Sequence, residues 1–314
     1  MEVSRREILR TVALSASALA LGPLAARRAY ARPIWDGDHQ GQPDPVVTEL
    51  VPGLFMISGL GGNIGLLAGP DGKIVVDTGV PPAAQSLLKL IESNGGTAPI
   101  HRVINTHFHG DHTGGNEAFN KAGVRIVSHD NCRARLATEQ TNAFFNRKTP
   151  AAPEAARPET TFSDKLTMHL NGEEIRMVYI PPAHTDNDVM LHFTKANVIH
   201  TGDLLFNVAF PYIDYSAGGN IMGMIKAMDV IMATADDKTK IIPGHGPLAT
   251  KADVQAERDM MTDIVSVIEP MVKAGKTEAE VIAAKPTAKY DAKYGTGFIN
   301  GENFTKLVYR TLPK

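Results

Sequence analysis

Hydrophobic and polar positions vary along the chain with two periods, one typical of strands and one typical of helices. Short apolar or alternating runs between Pro-Gly, Gly-Gly and Asp-Gly turns predict strands, and apolar residues three to four positions apart predict helices. The predicted strands are 46–51, 54–58, 64–68, 73–77, 100–105, 124–128, 166–170, 174–180, 189–193, 198–200 and 241–242. The predicted helices are 81–93, 113–122, 131–138, 221–235, 252–274, 277–284 and 303–311. Each half gives strands and then helices, which favours an α/β (α+β) fold of two stacked sheets covered by helices.

The segment 139–164 has no clear period and is longer than an ordinary connection, which predicts a lid or a wall of a substrate pocket. Further pocket walls are expected from 55–63, from Phe144 and Phe145, and from 206–215. Residues 46–314 are interpreted as one domain, preceded by a linker at 32–45.

The first 31 residues have the features of an export signal. Arg5 and Arg6 form a twin-arginine pair, an apolar Ala-rich stretch follows at 11–26, and 29–31 is a small-x-small cleavage site. The apolar stretch is shorter than the roughly 20 residues that span a bilayer, so no stable membrane anchor is expected. The sequence therefore predicts a bacterial periplasmic protein that meets the twin-arginine translocation machinery during export.

Composition narrows the class of ligand. The 314 residues carry a net charge of −2, and without residues 1–31 the chain has 27 basic and 32 acidic residues, a net charge of −5. Nucleic acid is bound through basic patches, and none stands out, so a small molecule is the expected substrate. Cys132, the only cysteine, cannot form an internal disulfide and is interpreted as a small core residue.

The segment 106–115, THFHGDHTGG, contains four potential metal ligands within six residues. His107 and His109 are two positions apart, so in an extended segment their imidazoles project to the same side and can bind one cation. Gly110 allows the chain to turn there, so that Asp111 and His112 face a second cation. The alternative is a polar loop whose histidines only bond one another.

Three later residues, His184, Asp203 and His245, each follow an apolar strand and lie beside Gly or Pro. A single His or Asp at the end of a strand more often belongs to a turn. Together with the four residues of the central motif, however, these three supply seven ligands. The predicted division gives one metal His107, His109 and His184, the other metal Asp111, His112 and His245, and makes Asp203 the bridge.

In residue type and order these motifs resemble those of the metallo-β-lactamase superfamily, and the resemblance extends over nearly all of 46–314. It implies a four-layer αβ/βα sandwich, two mixed β-sheets flanked by helices, with the metals at the edge between the sheets. The run 75–79, VVDTG, also fits the family pattern, in which the Asp lies behind the metals and organises the His loop. Asp77 is therefore expected to support the ligands, with a plain turn at the end of a strand as its alternative.

The resemblance does not fix the substrate. The best-known zinc β-lactamases have a metal-binding Cys at the position of Asp203 and a Lys at that of Phe206. The ligand set is closer to that of hydroxyacylglutathione hydrolases, although their carboxy-terminal glutathione region is not recognisable here. Lactonases of the superfamily share the seven-ligand pattern.

The predicted function is a binuclear metal-dependent hydrolase of an ester, thioester, lactone or β-lactam bond. Two cations lower the pKa of a shared water to near 7, which makes hydroxide available at neutral pH. Asp111 is the candidate for orienting that water, with a purely ligating role as the alternative. Two Zn²⁺ are the expected metals, and Fe or Mn also suits a ligand set without thiolate.

Two other functions compete with this one. Persulfide dioxygenases of the superfamily are similar in motif but hold a single iron, which would make this chain an oxidoreductase. A non-catalytic, metal-dependent periplasmic binding protein is the third interpretation, and the full set of seven ligands argues against it.

Overall fold

Two mixed β-sheets stacked face to face form the centre of the fold. The computed structural model describes residues 44–313, so the predicted signal peptide and most of the linker lie outside the described residues. The strands are β1 (Val46–Val51), β2 (Leu54–Ser58), β3 (Ile64–Gly69), β4 (Gly72–Val76), β5 (Ile100–Ile104), β6 (Arg125–His129), β7 (Gln140–Asn142), β8 (Arg147–Thr149), β9 (Thr160–Phe162), β10 (Lys165–Leu170), β11 (Glu173–Tyr179), β12 (Val189–Phe193), β13 (Val198–His200) and β14 (Lys240–Ile242). The seven-stranded sheet has the order β1-β2-β3-β4-β5-β6-β9, and the five-stranded sheet β10-β11-β12-β13-β14.

Helices cover the outer faces of both sheets. They are α1 (Ala84–Gly95), α2 (Gly110–Thr113), α3 (Asn116–Lys121), α4 (Asp130–Leu136), α5 (Ile221–Thr234), α6 (Lys251–Lys273), α7 (Glu278–Ala283), α8 (Asp291–Tyr294) and α9 (Gly301–Thr311). One apolar cluster lies between the sheets, a second joins the seven-stranded sheet to α1 and α3, and a third joins the five-stranded sheet to α5, α6 and α9. The predicted α/β four-layer arrangement is thus confirmed. No helix within residues 44–313 is both long enough and apolar enough to cross a membrane.

The direction of the strands brings several loops to one edge. In the seven-stranded sheet β4, β5, β6 and β9 are parallel, so the segments after β4 and β5 leave from the same edge. In the five-stranded sheet β13 and β14 are parallel, and β11 is antiparallel to β12, which is antiparallel to β13. The segments after β11, β13 and β14 therefore also share an edge, and these are the segments that carry the later candidate ligands.

Most predicted elements agree with the structure to within one or two residues, and two regions differ. The helix predicted at 113–122 is two short helices, α2 and α3, and Asp111 and His112 lie inside α2. The turn after His109 is thus a helical turn, and Gly110 does not adopt a positive φ there. The segment 139–164 contains the β7–β8 hairpin and β9, elements too short to show a period in the sequence.

Cys132 lies on α4 and is fully buried beside Phe108, Leu136 and Ala217. Burial is the main cause that raises the pKa of its thiol to about 12, so the group stays protonated at neutral pH. The position agrees with the interpretation of Cys132 as a small core residue.

Glu257 on α6 is a buried carboxyl group that supports the loop after β13. Its Oε1 accepts the N–H of Phe206 at 3.3 Å. Burial raises the pKa of Glu257 well above its usual range, against the smaller opposing effects of the Phe206 N–H and of Lys293. Above the unfolded value of about 4.3 the folded chain therefore keeps a proton that the unfolded chain releases, and stability falls as pH rises.

The substitution Glu257→Gln is expected to raise the midpoint of thermal unfolding by a few degrees at pH 7. Glutamine keeps a carbonyl acceptor for the Phe206 N–H and needs no proton uptake on folding. Circular dichroism melts between pH 5 and pH 8 measure the effect, which should shrink as pH falls toward the unfolded pKa of glutamate. A lower midpoint at every pH would instead mean that the carboxylate stabilises the fold when ionised.

Candidate metal centre

The seven predicted ligand residues come together at one edge of the two sheets. They form two groups, and within each group the candidate donor atoms lie within 4.8 Å of one another. The groups are His107, His109, His184 and Asp203, and Asp111, His112 and His245. This division matches the predicted one, with Asp203 assigned by distance to the first group.

The first group is built on three imidazole nitrogens that face a common point. Nδ1 of His109 lies 3.1 Å from Nε2 of His107 and 2.9 Å from Nε2 of His184. The rings of all three pairs are close to perpendicular, with centroids 4.8 Å apart. Three imidazole nitrogens this close together could hold one metal ion.

The second group joins the short helix α2 to the loop after β14. Nε2 of His245 lies 3.2 Å from Oδ2 of Asp111 and 3.4 Å from Nε2 of His112. The ring of Phe206 stacks on that of His245 at 5.2 Å between centroids and limits its movement. Two nitrogens and one carboxylate oxygen therefore face a second point beside the first.

Asp203 lies between the two groups and turns one oxygen toward each. Its Oδ2 lies 3.4 Å from Nε2 of His184 and 3.8 Å from Nε2 of His107. Its Oδ1 lies 3.0 Å from Nε2 of His112 and 3.4 Å from Nε2 of His245. A carboxylate between two groups of nitrogens could hold a cation on each side.

Asp77 fixes one histidine in each group. Its Oδ2 accepts the Nδ1–H of His112 at 2.7 Å and the hydroxyl of Thr106 at 2.8 Å, and its Oδ1 accepts the Thr106 N–H at 2.8 Å. The Thr106 hydroxyl in turn accepts the Nδ1–H of His107 at 3.0 Å. Asp77 has a φ of 65°, a strained conformation that local contacts must hold in place. The expectation that Asp77 organises the His loop therefore agrees with its contacts.

Two supporting groups were missed by the sequence analysis, and both lie in the segment after β13. Oδ2 of Asp214 accepts the Nε2–H of His109 at 3.0 Å, and the carbonyl of Tyr212 accepts the Nδ1–H of His184 at 2.8 Å. Each bond directs the other nitrogen of the imidazole ring toward the point that the first group faces. The residues had been expected only as pocket walls.

Glycines allow the backbone to approach the two groups closely. A Cβ on Gly62 would lie 2.1 Å from Cε1 of His112, and one on Gly244 would lie 2.0 Å from Oδ1 of Asp203. No side chain fits at either position without displacing a candidate ligand, which explains why glycine stands beside both groups.

Electrostatics make the centre attractive to cations. Burial lowers the pKa of His107 and His184, so both stay neutral and offer lone pairs. Burial also opposes charge on His112 and His245, but the nearby carboxylates outweigh it, and Asp203 has the largest effect among them. They raise the pKa of His112 well above its usual range and the pKa of His245 to about 9. The facing histidines overcome the effect of burial on Asp203 and hold its pKa well below normal. A divalent cation would supply the positive charge that these carboxylates attract.

Two buried carboxylate oxygens indicate whether the residues fit a metal ion. Oδ2 of Asp111 and Oδ1 of Asp203 are inaccessible to solvent, and their near neighbours are histidine Nε2 atoms, at 3.2 Å from His245 and 3.0 Å from His112, with no hydrogen bond of good geometry. Leaving a buried carboxylate oxygen unsatisfied is costly, whereas a coordinated cation would satisfy it. Both oxygens point into the group of nitrogens, so the residues present fit a pair of metal ions.

A cavity of about 530 Å³ opens onto the centre, and His109, Asp111 and Asp203 are among its lining residues. Much of its wall comes from 138–156, so the irregular segment does line a pocket as predicted. Phe145 and Tyr212 line it too, whereas Phe144 packs against the core instead. The prediction that 55–63 forms a wall is wrong, because none of these residues reaches the cavity lining.

One family model matches the part of the chain that contains the histidine motif and most of both sheets. A model of the metallo-beta-lactamase superfamily matches residues 57–247, more than half of the chain. The chain belongs to this superfamily. The matched region includes all seven candidate ligands and Asp77. The His/Asp centre and the hydrolases among the relatives support a metal-dependent hydrolase in general terms, and members of the superfamily bind metal ions.

The individual relatives are distant. The chain is similar to 2,4-dinitroanisole O-demethylase subunit alpha of Nocardioides sp. (strain JS1661), with 26% identity over 45% of this chain and 40% of that one. It is also similar to metallo-beta-lactamase IND-1 of Chryseobacterium indologenes, with 27% identity over 51% of this chain and 61% of the other. Both matches span less than two thirds of the relative. A solved metallo-beta-lactamase from Pontibacter korlensis covers 70% of this chain and 100% of its own at a TM-score of 0.59 and 18% identity, which shows the shared fold.

Proposed function

We propose that this superfamily member is a binuclear metal-dependent hydrolase of a small molecule containing an ester, thioester, lactone or β-lactam bond. The observation that carries the proposal is the position of Asp203, whose two oxygens face two separate groups of ligand-type atoms. The proposed ligands are His107, His109 and His184 for one metal, Asp111, His112 and His245 for the other, and Asp203 for both.

Two Zn²⁺ are the proposed metals, because histidine and carboxylate ligands suit zinc, with Fe or Mn as the other ions that such a set accepts. When bound, the pair would polarise a carbonyl and make hydroxide available near neutral pH. No side chain is then required as a nucleophile. Its contribution is to hold the ligands rigid through Asp77, Tyr212 and Asp214.

Asp111 is the proposed proton acceptor. Its carboxylate belongs to the second group and the residue lines the cavity, so Asp111 lies between the proposed metal and the place where substrate would bind. Burial would raise its pKa, but His112 and His245 outweigh that effect and lower it, so Asp111 is ionised at neutral pH. An ionised carboxylate there can orient a water molecule and accept its proton.

Export through the twin-arginine route and function in the bacterial periplasm complete the proposal, on the sequence of residues 1–31 alone. A protein exported in the folded state can bind its metals in the cytoplasm. The signal peptide should be cleaved between residues 31 and 32. Mass spectrometry of the exported protein measures where the mature chain begins.

Metal removal tests the function. Protein purified in its exported form should contain about two metal equivalents per chain by elemental analysis. Dipicolinate should remove both ions and abolish hydrolysis of a panel containing an aryl ester, a γ-lactone, a thioester and a β-lactam, and added Zn²⁺ should restore it. One bound iron, together with oxygen uptake on glutathione persulfide, would show the dioxygenase instead. Two bound metals without turnover of any hydrolysable bond would favour a binding protein.

A further inference from the structure

Three aromatic rings face one another at the side of the cavity. They are Phe145, Tyr212 and Phe298, and we call them the aromatic clamp. The ring centroid of Phe145 lies 5.2 Å from that of Tyr212 and 5.0 Å from that of Phe298. The centroids of Tyr212 and Phe298 are 6.4 Å apart. All three line the cavity, although they come from three distant segments of the chain.

Phe145 is exposed but its position is fixed. Its side chain is 41% accessible, one of the few large apolar side chains within residues 44–313 that are. The hairpin turn that carries it is bonded to the wall, because Asn142 Nδ2 donates to the Tyr212 hydroxyl at 2.6 Å and the Ala143 N–H donates to Ser216 Oγ at 2.9 Å. The neighbouring Phe144 packs on the core. An apolar ring held at a cavity mouth and left uncovered is a feature of ligand sites.

Tyr212 connects the clamp to the metal centre. Its carbonyl holds His184, and its ring centroid lies 5.8 Å from that of His184 and 6.1 Å from that of His109. A flat group that contacts the ring of Tyr212 would therefore lie beside the first group of ligands. The clamp can place a bond adjacent to such a group at the centre.

Arg135 and Arg147 both line the cavity. Arg135, a cation of the lining, forms a two-point ion pair with Asp186 and lies over the ring of Phe108 at 5.5 Å. In the same lining Asp214 accepts the Nε2–H of His109, and Asp111 is a proposed metal ligand. A carboxylate or phosphate on the substrate would have to compete with Asp186 for Arg135.

We propose that the natural substrate carries an uncharged aromatic or cyclic apolar group next to the bond that is cleaved, and that the aromatic clamp binds this group. The inference rests on the proposed hydrolase and narrows its substrate class.

Three methyl esters with the same leaving group test the inference: methyl phenylacetate, methyl acetate and monomethyl succinate. Phe145→Ala and Phe298→Ala should each lower kcat/KM for methyl phenylacetate about 10-fold, because each removes one ring of the stack. Methyl acetate should change by less than about two-fold. Val267→Ala, which removes an exposed apolar side chain outside the cavity, is the control, and Phe145→Tyr should retain the wild-type value.

Binding is measured separately from turnover. Saturation-transfer NMR with 2-phenylacetamide and acetamide should detect the phenyl compound alone, and the signal should disappear in Phe145→Ala protein that retains its metals. If no ester is hydrolysed but this Phe145-dependent binding is seen, the clamp is supported while the proposed function fails. Equal losses for all three esters, a preference for monomethyl succinate, or phenylacetamide binding that ignores Phe145 would overturn the inference and leave the hydrolase standing.

Discussion

Asp203→Asn is expected to lower kcat/KM on the order of 10³-fold, about 4 kcal/mol, and to reduce the metal content from two ions per chain toward one. Asparagine has the same shape, but it replaces one oxygen by an NH₂ group and removes the negative charge. Because the two oxygens of Asp203 face different groups of nitrogens, one group must then face an amide that donates hydrogens and cannot ligate. The loss should therefore affect one metal more than the other.

Elemental analysis and steady-state kinetics on the same preparation measure both effects. Asp259→Asn is the matched control, since it removes an exposed carboxylate that pairs with Arg258 on α6, away from the centre. The fold should survive Asp203→Asn, because the lost charge is one that the histidines must neutralise in the wild type. Full activity with two bound ions would mean that Asp203 is not a bridging ligand.

The meeting of the seven side chains could be predicted because each follows a strand whose end is visible in the sequence. His184, Asp203 and His245 all come within a few residues of an apolar run, beside a Gly or Pro that ends it. Parallel strands leave a sheet at the same edge, so strand ends distant in sequence are neighbours in space. Their role as ligands remains a prediction, which Asp203→Asn tests for Asp203.

Asp214 could not be found in this way, because its partner His109 is 105 residues away and no spacing relates them. Its local signal is only that of a turn: the carboxylate also accepts the N–H groups of Ser216 and Ala217, as an Asp before a helical turn commonly does. The β7–β8 hairpin escaped notice for a different reason. Strands of three polar residues, none of them fully buried, have no hydrophobic period.

Asp77→Asn is expected to lower the affinity for the metal of the second group by about 10- to 100-fold. Activity should fall as well, although none of the proposed ligand residues is changed. The wild-type carboxylate accepts three hydrogens, from the N–H and hydroxyl of Thr106 and from Nδ1 of His112. Asparagine also tolerates a φ of 65°, so the substitution adds no backbone strain. If its oxygen keeps the Thr106 N–H, its NH₂ group faces Nδ1 of His112.

His112 can accept that NH₂ only by moving its own proton to Nε2, the nitrogen that faces Asp203 and His245. The wrong tautomer then blocks the lone pair that a metal requires, although every ligand residue is present. Metal titration should show one unchanged and one weakened site, with the weakened site recovering at higher Zn²⁺ concentration. Asp253→Asn disrupts the capping box of α6, far from the centre, and should cost about 1 kcal/mol of stability without changing either affinity. Two unchanged metal affinities in Asp77→Asn would show that Asp77 only shapes the turn after β4.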